Sequence, residues 1–182
     1  INNAPAFPWL WAQYPLGLVA LSVTLAVLAS VLALQLAALA RSADTRFMRK
    51  MARGSGEMAL GGGIWSMHFI GMLALSLPIE LGYDLGLTLW SLLVAILSSG
   101  FALWLVSQPR LPALQLLYGA LIMGAGISAM HYSGMAALRM QPGIDYDPAL
   151  FGLSLVIAVA ASAAALMIAF RLRQQTPYVR LA

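Results

Sequence analysis

The fold turns on two stretches, "IWSMHFIGMLAL" from Ile64 to Leu75 and "ISAMHYSGMAAL" from Ile127 to Leu138. Each is greasy enough to lie in lipid, yet each carries a histidine with one methionine before it and another four residues after it. The chain has two histidines, and both stand in this pattern. The offset is 63 residues, and further matches fall on it: Gly61 with Gly124, Met67-His68 with Met130-His131, Phe69 with Tyr132, Gly71-Met72 with Gly134-Met135, and Ala74-Leu75 with Ala137-Leu138. An internal repeat of this kind governs the whole architecture.

Composition sets the medium. Of all residues 62% are hydrophobic and 9% charged, against about a quarter charged in soluble domains. A water-soluble fold of 182 residues could not bury so much apolar surface, so this is a membrane protein whose first partner is the lipid bilayer. The chain has no cysteine, which excludes disulfides, iron–sulfur clusters and thiolate metal sites. A net charge of +4 would suit nucleic acid, but the basic residues cluster between apolar runs, where topology accounts for them. No nucleic-acid partner is expected. The start, "INNAPAFPWLWAQYPLG", lacks the basic residue and cleavage site of a signal peptide, and no initiator Met precedes it. An excerpt of a longer chain is expected.

Five apolar runs can cross a hydrocarbon core of about 30 Å as helices: Leu16–Ala40, Met58–Leu77, Leu85–Val106, Ala113–Leu138 and Ala149–Phe170. The fold class is therefore an all-α integral membrane bundle of five transmembrane helices. "LPIELGYD", "SQPRLP" and "MQPGIDYDP" between them are turn material. Arg41, Arg46, Arg49, Lys50, Arg53, Arg110, Arg171, Arg173 and Arg180 fall on one side, whereas Glu80, Asp84, Asp145, Asp147 and Arg139 fall on the other. The positive-inside rule makes the basic side cytoplasmic, with the N-terminus outside and the C-terminus inside. Clustered basic residues from Arg41 to Arg53 could also attract anionic lipid headgroups.

The odd-numbered spans repeat too. Tyr14, Tyr83 and Tyr146 align, followed at equal spacing by Ser22, Ser91 and Ser154, by Ala26, Ala95 and Ala158, by Ser30, Ser99 and Ser162, and by Ala33-Leu34, Ala102-Leu103 and Ala165-Leu166. The unit is two helices, so successive copies are parallel and related by an axis along the membrane normal. After an outer segment 1–13, repeat 1 covers 14–78, repeat 2 covers 83–142 and a partial repeat 3 covers 146–182. A sixth helix would fall after Ala182, completing a ring about a pseudo-threefold axis. His68 lies ten residues before Pro78, and His131 ten before Gln141, the repeat equivalent of Pro78, so both rings lie at equal depth, roughly 15 Å below the outer end.

Residues four apart share a helix face, so His68 points with Met72 and His131 with Met135. Met67 and Met130 flank that face, while Gly71 and Gly134 remove bulk beside each imidazole. A plain structural account has each histidine bonded to a neighbouring helix, with methionine filling irregular space. Two copies at matched depth favour a shared ligand site instead. Imidazole and thioether without carboxylate or thiolate select copper, Cu(I) above all, over zinc, magnesium or calcium. Haem with His or His/Met axial ligands is the alternative. Tyr132 could help orient a ligand, although Phe69 lacks the hydroxyl. Glu57 and the serines read as interfacial and packing residues.

At "MHFIGMLAL" and "MHYSGMAAL", and over nearly all the chain from Tyr14 onward, the sequence resembles the bacterial MHYT domain, named for a Met-His-Tyr-Thr tetrad. The tetrads here read Met-His-Phe-Ile and Met-His-Tyr-Ser, and the family's third motif is absent. The resemblance implies an integral membrane sensory module of about seven helices, of which this chain holds five. It implies a copper site at Met67, His68, Met72, Met130, His131 and Met135 that responds to a small gaseous or redox ligand. It also implies covalently linked cytoplasmic PAS, GGDEF and EAL domains that make or degrade cyclic di-GMP, a homodimeric assembly, and residence in the bacterial inner membrane. No nucleophile–base pair or phosphate-binding loop stands in the chain, so no catalytic residues are expected here. Two other functions compete: a haem-dependent membrane redox protein, and a small-ligand permease. The latter would need a polar path that the third and fifth spans, almost free of polar groups beyond Ser and Thr, do not provide.

Overall fold

In the computed structural model, which describes residues 16–74, 82–108, 110–139 and 146–175, five helices follow one another. They are α1 (Leu16–Ser42), α2 (Arg46–Ala74), α3 (Leu85–Val106), α4 (Ala113–Ala136) and α5 (Pro148–Gln175). All but α2 are long and apolar enough to cross a membrane on length and composition alone. The start of α2 corrects the expected second span, which began at Met58. Thr45 sets the true start: its Oγ1 accepts the Met48 N–H at 3.1 Å, and a capped helix propagates through charged residues as readily as through apolar ones. The expected end of that span, the outer segment 1–13 and Tyr14 lie outside the described residues.

The fourth span ends at Ala136 rather than Leu138. Gly82–Tyr83 (β1) and Leu138–Arg139 (β2) form a two-residue antiparallel ladder, Gly82 opposite Arg139 and Tyr83 opposite Leu138. The backbone N–H of Asp84 adds a bond to the Ala137 carbonyl at 2.8 Å. This ladder ties the entry of α3 to the exit of α4. The repeat-equivalent acids of the acidic end have a local task as well. Asp84 Oδ1 accepts the Leu87 N–H at 3.0 Å, and Asp147 Oδ1 accepts those of Ala149 and Leu150 at 2.8 and 3.1 Å. Each carboxylate satisfies N–H groups that a helix start leaves unpaired.

Consecutive helices pack side by side, whereas α2 meets α4, and α3 meets α5, only over short stretches. The interior is rich in small residues, around a cluster of Leu105, Val106, Met123 and Leu166, and the exterior is rich in large ones. Ser22, Ser91, Ser99, Ser162, Ala33, Ala95 and Ala102 are buried, while Leu28, Leu97, Ile157 and many like them are exposed. That inversion suits lipid, where close backbone approach rather than expulsion of water holds helices together.

Glycines show the repeat in three dimensions. A methyl group on Gly61 would lie 2.5 Å from the Ile96 Cα, and one on Gly124 would lie 2.8 Å from the Val159 Cα. Ile96 and Val159 are themselves one repeat apart, so α2 crosses α3 as α4 crosses α5. Gly63 meets Ala29 and Gly126 meets Ser98 in the same corresponding way.

Candidate ligand site between the histidine helices

Where α2 and α4 touch, the imidazoles of His68 and His131 face each other, with ring centroids 4.9 Å apart and planes at 67°. Gly134 makes this possible. A methyl there would lie 2.7 Å from His68 Nε2 and 3.1 Å from its Cδ2, so the bare backbone of α4 forms the seat of the His68 ring. The His68 Nε2 is buried and finds no hydrogen-bond partner among the described residues. An unpartnered buried nitrogen costs about 1–3 kcal/mol, a cost that a bound ligand would offset. His131 is exposed, and a Cβ at Gly71, the repeat counterpart of Gly134, would meet none of the described residues within 4 Å.

Aromatic rings brace the pair. Phe69 stands edge-on to His68 at 5.6 Å, and Tyr132 edge-on to His131 at 5.1 Å. The Tyr132 hydroxyl shares a 2.6 Å hydrogen bond with Ser154 Oγ of α5. Phe69 has no hydroxyl, and in its copy Trp65, one turn earlier, donates from Nε1 to Ser91 Oγ at 3.0 Å. Ser91 and Ser154 are repeat equivalents, so each histidine helix is hooked to the next odd helix by an aromatic side chain. Trp65 escaped the sequence reading because it lies one turn away from the Phe69/Tyr132 register. The matching serines were its visible sign.

Met130 is buried, and Met67, Met72 and Met135 are partly buried. No cluster of three or more His, Cys, Asp or Glu exists among the described residues.

A family model described as "Bacterial signalling protein N terminal repeat", MHYT, matches residues 61–119 and 124–182. The two copies start 63 residues apart, the same period as the histidines and the glycine crossings. The chain belongs to the MHYT family. This MHYT chain is 60% identical over 162 residues to the bifunctional diguanylate cyclase/cyclic di-GMP phosphodiesterase MucR of Pseudomonas aeruginosa, covering 89% of the chain and 24% of that protein. It is 40% identical over 167 residues to the cyclic di-GMP phosphodiesterase NbdA of the same organism, covering 92% of the chain and 20% of NbdA. It is 35% identical over 159 residues to the signaling protein YkoW of Bacillus subtilis, covering 87% of the chain and 20% of YkoW. The MHYT chain thus spans a quarter or less of the length of these relatives. No solved structure matches it.

Proposed function

We propose that this MHYT chain is the membrane input module of a cyclic di-GMP signalling protein. In this reading His68 and His131, with Met67, Met72, Met130 and Met135, hold a copper ion that meets a diatomic gas or a redox partner. The observation that carries the proposal is the buried Nε2 of His68, without a hydrogen-bond partner among the described residues, on a ring whose centroid stands 4.9 Å from that of His131. Copper, when bound, would supply an open coordination position and a one-electron couple. The chain's own part is to fix the two rings, through Gly134 beneath His68 and the hooks to Ser91 and Ser154, and to keep the site within apolar helices. Haem is the alternative reading, and the same two imidazoles would be its ligands.

The basic end of the bundle faces the cytoplasm in this proposal, on charge grounds. The N-terminus is periplasmic, the membrane is the inner one, and synthesis or breakdown of cyclic di-GMP belongs to linked cytoplasmic domains working as a dimer. A ligand would act by favouring one of two helix arrangements.

The test is copper content. Protein purified in detergent and loaded with Cu(I) is compared with His68→Ala and His131→Ala by elemental analysis and optical spectroscopy. Each substitution is expected to lower bound copper by at least about tenfold. Undiminished copper in both variants makes the pair structural, and a Soret band in the parent protein would favour haem.

A further inference from the structure

At the basic end, α1, α2 and α3 enclose a concavity of about 320 Å³, within the size range of small-ligand sites. Arg41 enters it from the last turn of α1, Arg49 and Arg53 from the start of α2, and Leu103 and Ser107 from the end of α3. None of its described lining side chains is acidic. Arg49 is held by an Nη2 donation to the Ala43 carbonyl at 3.3 Å, which orients the guanidinium and leaves its charge in place. Arg53 makes no hydrogen bond or ion pair among the described residues. Glu57, one turn further along α2, turns to α3, with its carboxylate carbon 3.0 Å from where a Gly100 methyl would be. Beside the concavity, Gly56 packs onto Leu36, the Ala33 carbonyl and Leu103.

An anion would complement this arrangement. The first turn of α2 carries Arg46 and Arg49 and no acidic residue, at the positive end of the helix dipole. Arginine, moreover, presents a planar fork that matches phosphate oxygens two at a time.

We propose that this concavity is a binding site for a phosphate group, held between Arg41, Arg49 and Arg53. The group can be borne by an anionic phospholipid or by a soluble phosphate, because the recognising chemistry is the same. The site shares no residue with the histidine pair, and its test reads no metal.

The purified chain in detergent is titrated with dioleoylphosphatidylglycerol, with dioleoylphosphatidylcholine as the neutral comparison, and retention is read by native mass spectrometry. Inorganic phosphate is tested separately by its effect on thermal unfolding. One phosphatidylglycerol is expected to be retained per chain. Arg49→Gln and Arg53→Gln should each weaken retention by about tenfold or more, the scale of a lost charge-assisted hydrogen bond. Arg46→Gln with Lys50→Gln, at the same end but outside the lining, should change it by no more than about twofold. Arg53→Lys, which keeps the charge but not the fork, should fall between and guards against misfolding as the cause. Stabilisation by phosphate with no preference for phosphatidylglycerol would still support the site and make the source soluble. Equal weakening by lining and non-lining substitutions, or no binding of either probe, would overturn it.

Discussion

The two histidine helices meet the following helix in the same way and have different surroundings. α2 and α4 each cross the following odd helix at a glycine, Gly61 on Ile96 and Gly124 on Val159, and each is hooked to an equivalent serine. Yet His68 is seated on Gly134 with its Nε2 enclosed, while His131 is exposed and a Cβ at Gly71 would meet none of the described residues within 4 Å. Repetition of sequence thus reproduced the frame, because the frame depends on where side chains are missing. It did not reproduce the ligand environment, because that depends on which copy stands next to which.

The largest test of this contrast attacks the frame. Gly61→Val and Gly124→Val each drive a side chain into the backbone of the neighbouring helix. Each is expected to destabilise the bundle by about 3 kcal/mol or more, and by similar amounts, as measured by unfolding in detergent. A large inequality would mean that the crossings are not equivalent.

Next comes the seat of the ring. Gly134→Ala should cost about 1–3 kcal/mol by displacing His68 and should lower copper capture in the same protein. Gly71→Ala should stay within about 0.5 kcal/mol. Equal effects of the two alanines would erase the asymmetry between the copies.

The smallest expected effect concerns the hooks. Trp65→Phe and Tyr132→Phe each remove one interhelical hydrogen bond, worth about 0.6 kcal/mol on average within a membrane. Chemical denaturation of both variants should give matching losses. A Phe69→Tyr change that recovers the Trp65→Phe loss would show that the two registers are interchangeable.

Much of this was legible in advance. Apolar run length gave the bounds of α3 to the residue, the Met-His motifs pointed to the family, and the 63-residue period matched Gly61 with Gly124 before their crossings were seen. The beginning of α2 was not legible from hydropathy, because Arg46 to Glu57 form helix outside the apolar run, and the cue lay in Thr45 as a cap. The β1–β2 ladder was hidden for another reason: two residues per strand carry no alternation to detect. Asp84 and Asp147 were read as markers of sidedness, and their capping bonds became visible only once the helix starts were fixed.

Sequence alone determined that this chain is built of long apolar helices suited to a membrane, that it carries an internal repeat of 63 residues, and that its two imidazoles belong to one repeated motif. Each of those follows from composition or periodicity, which are properties of the chain in one dimension. Tertiary structure alone decided that His68 rests on Gly134, that Trp65 stands in for the missing hydroxyl of Phe69, and that three arginines share one concavity. Those facts depend on contacts between helices distant in sequence, and no spacing along a chain specifies which faces come together.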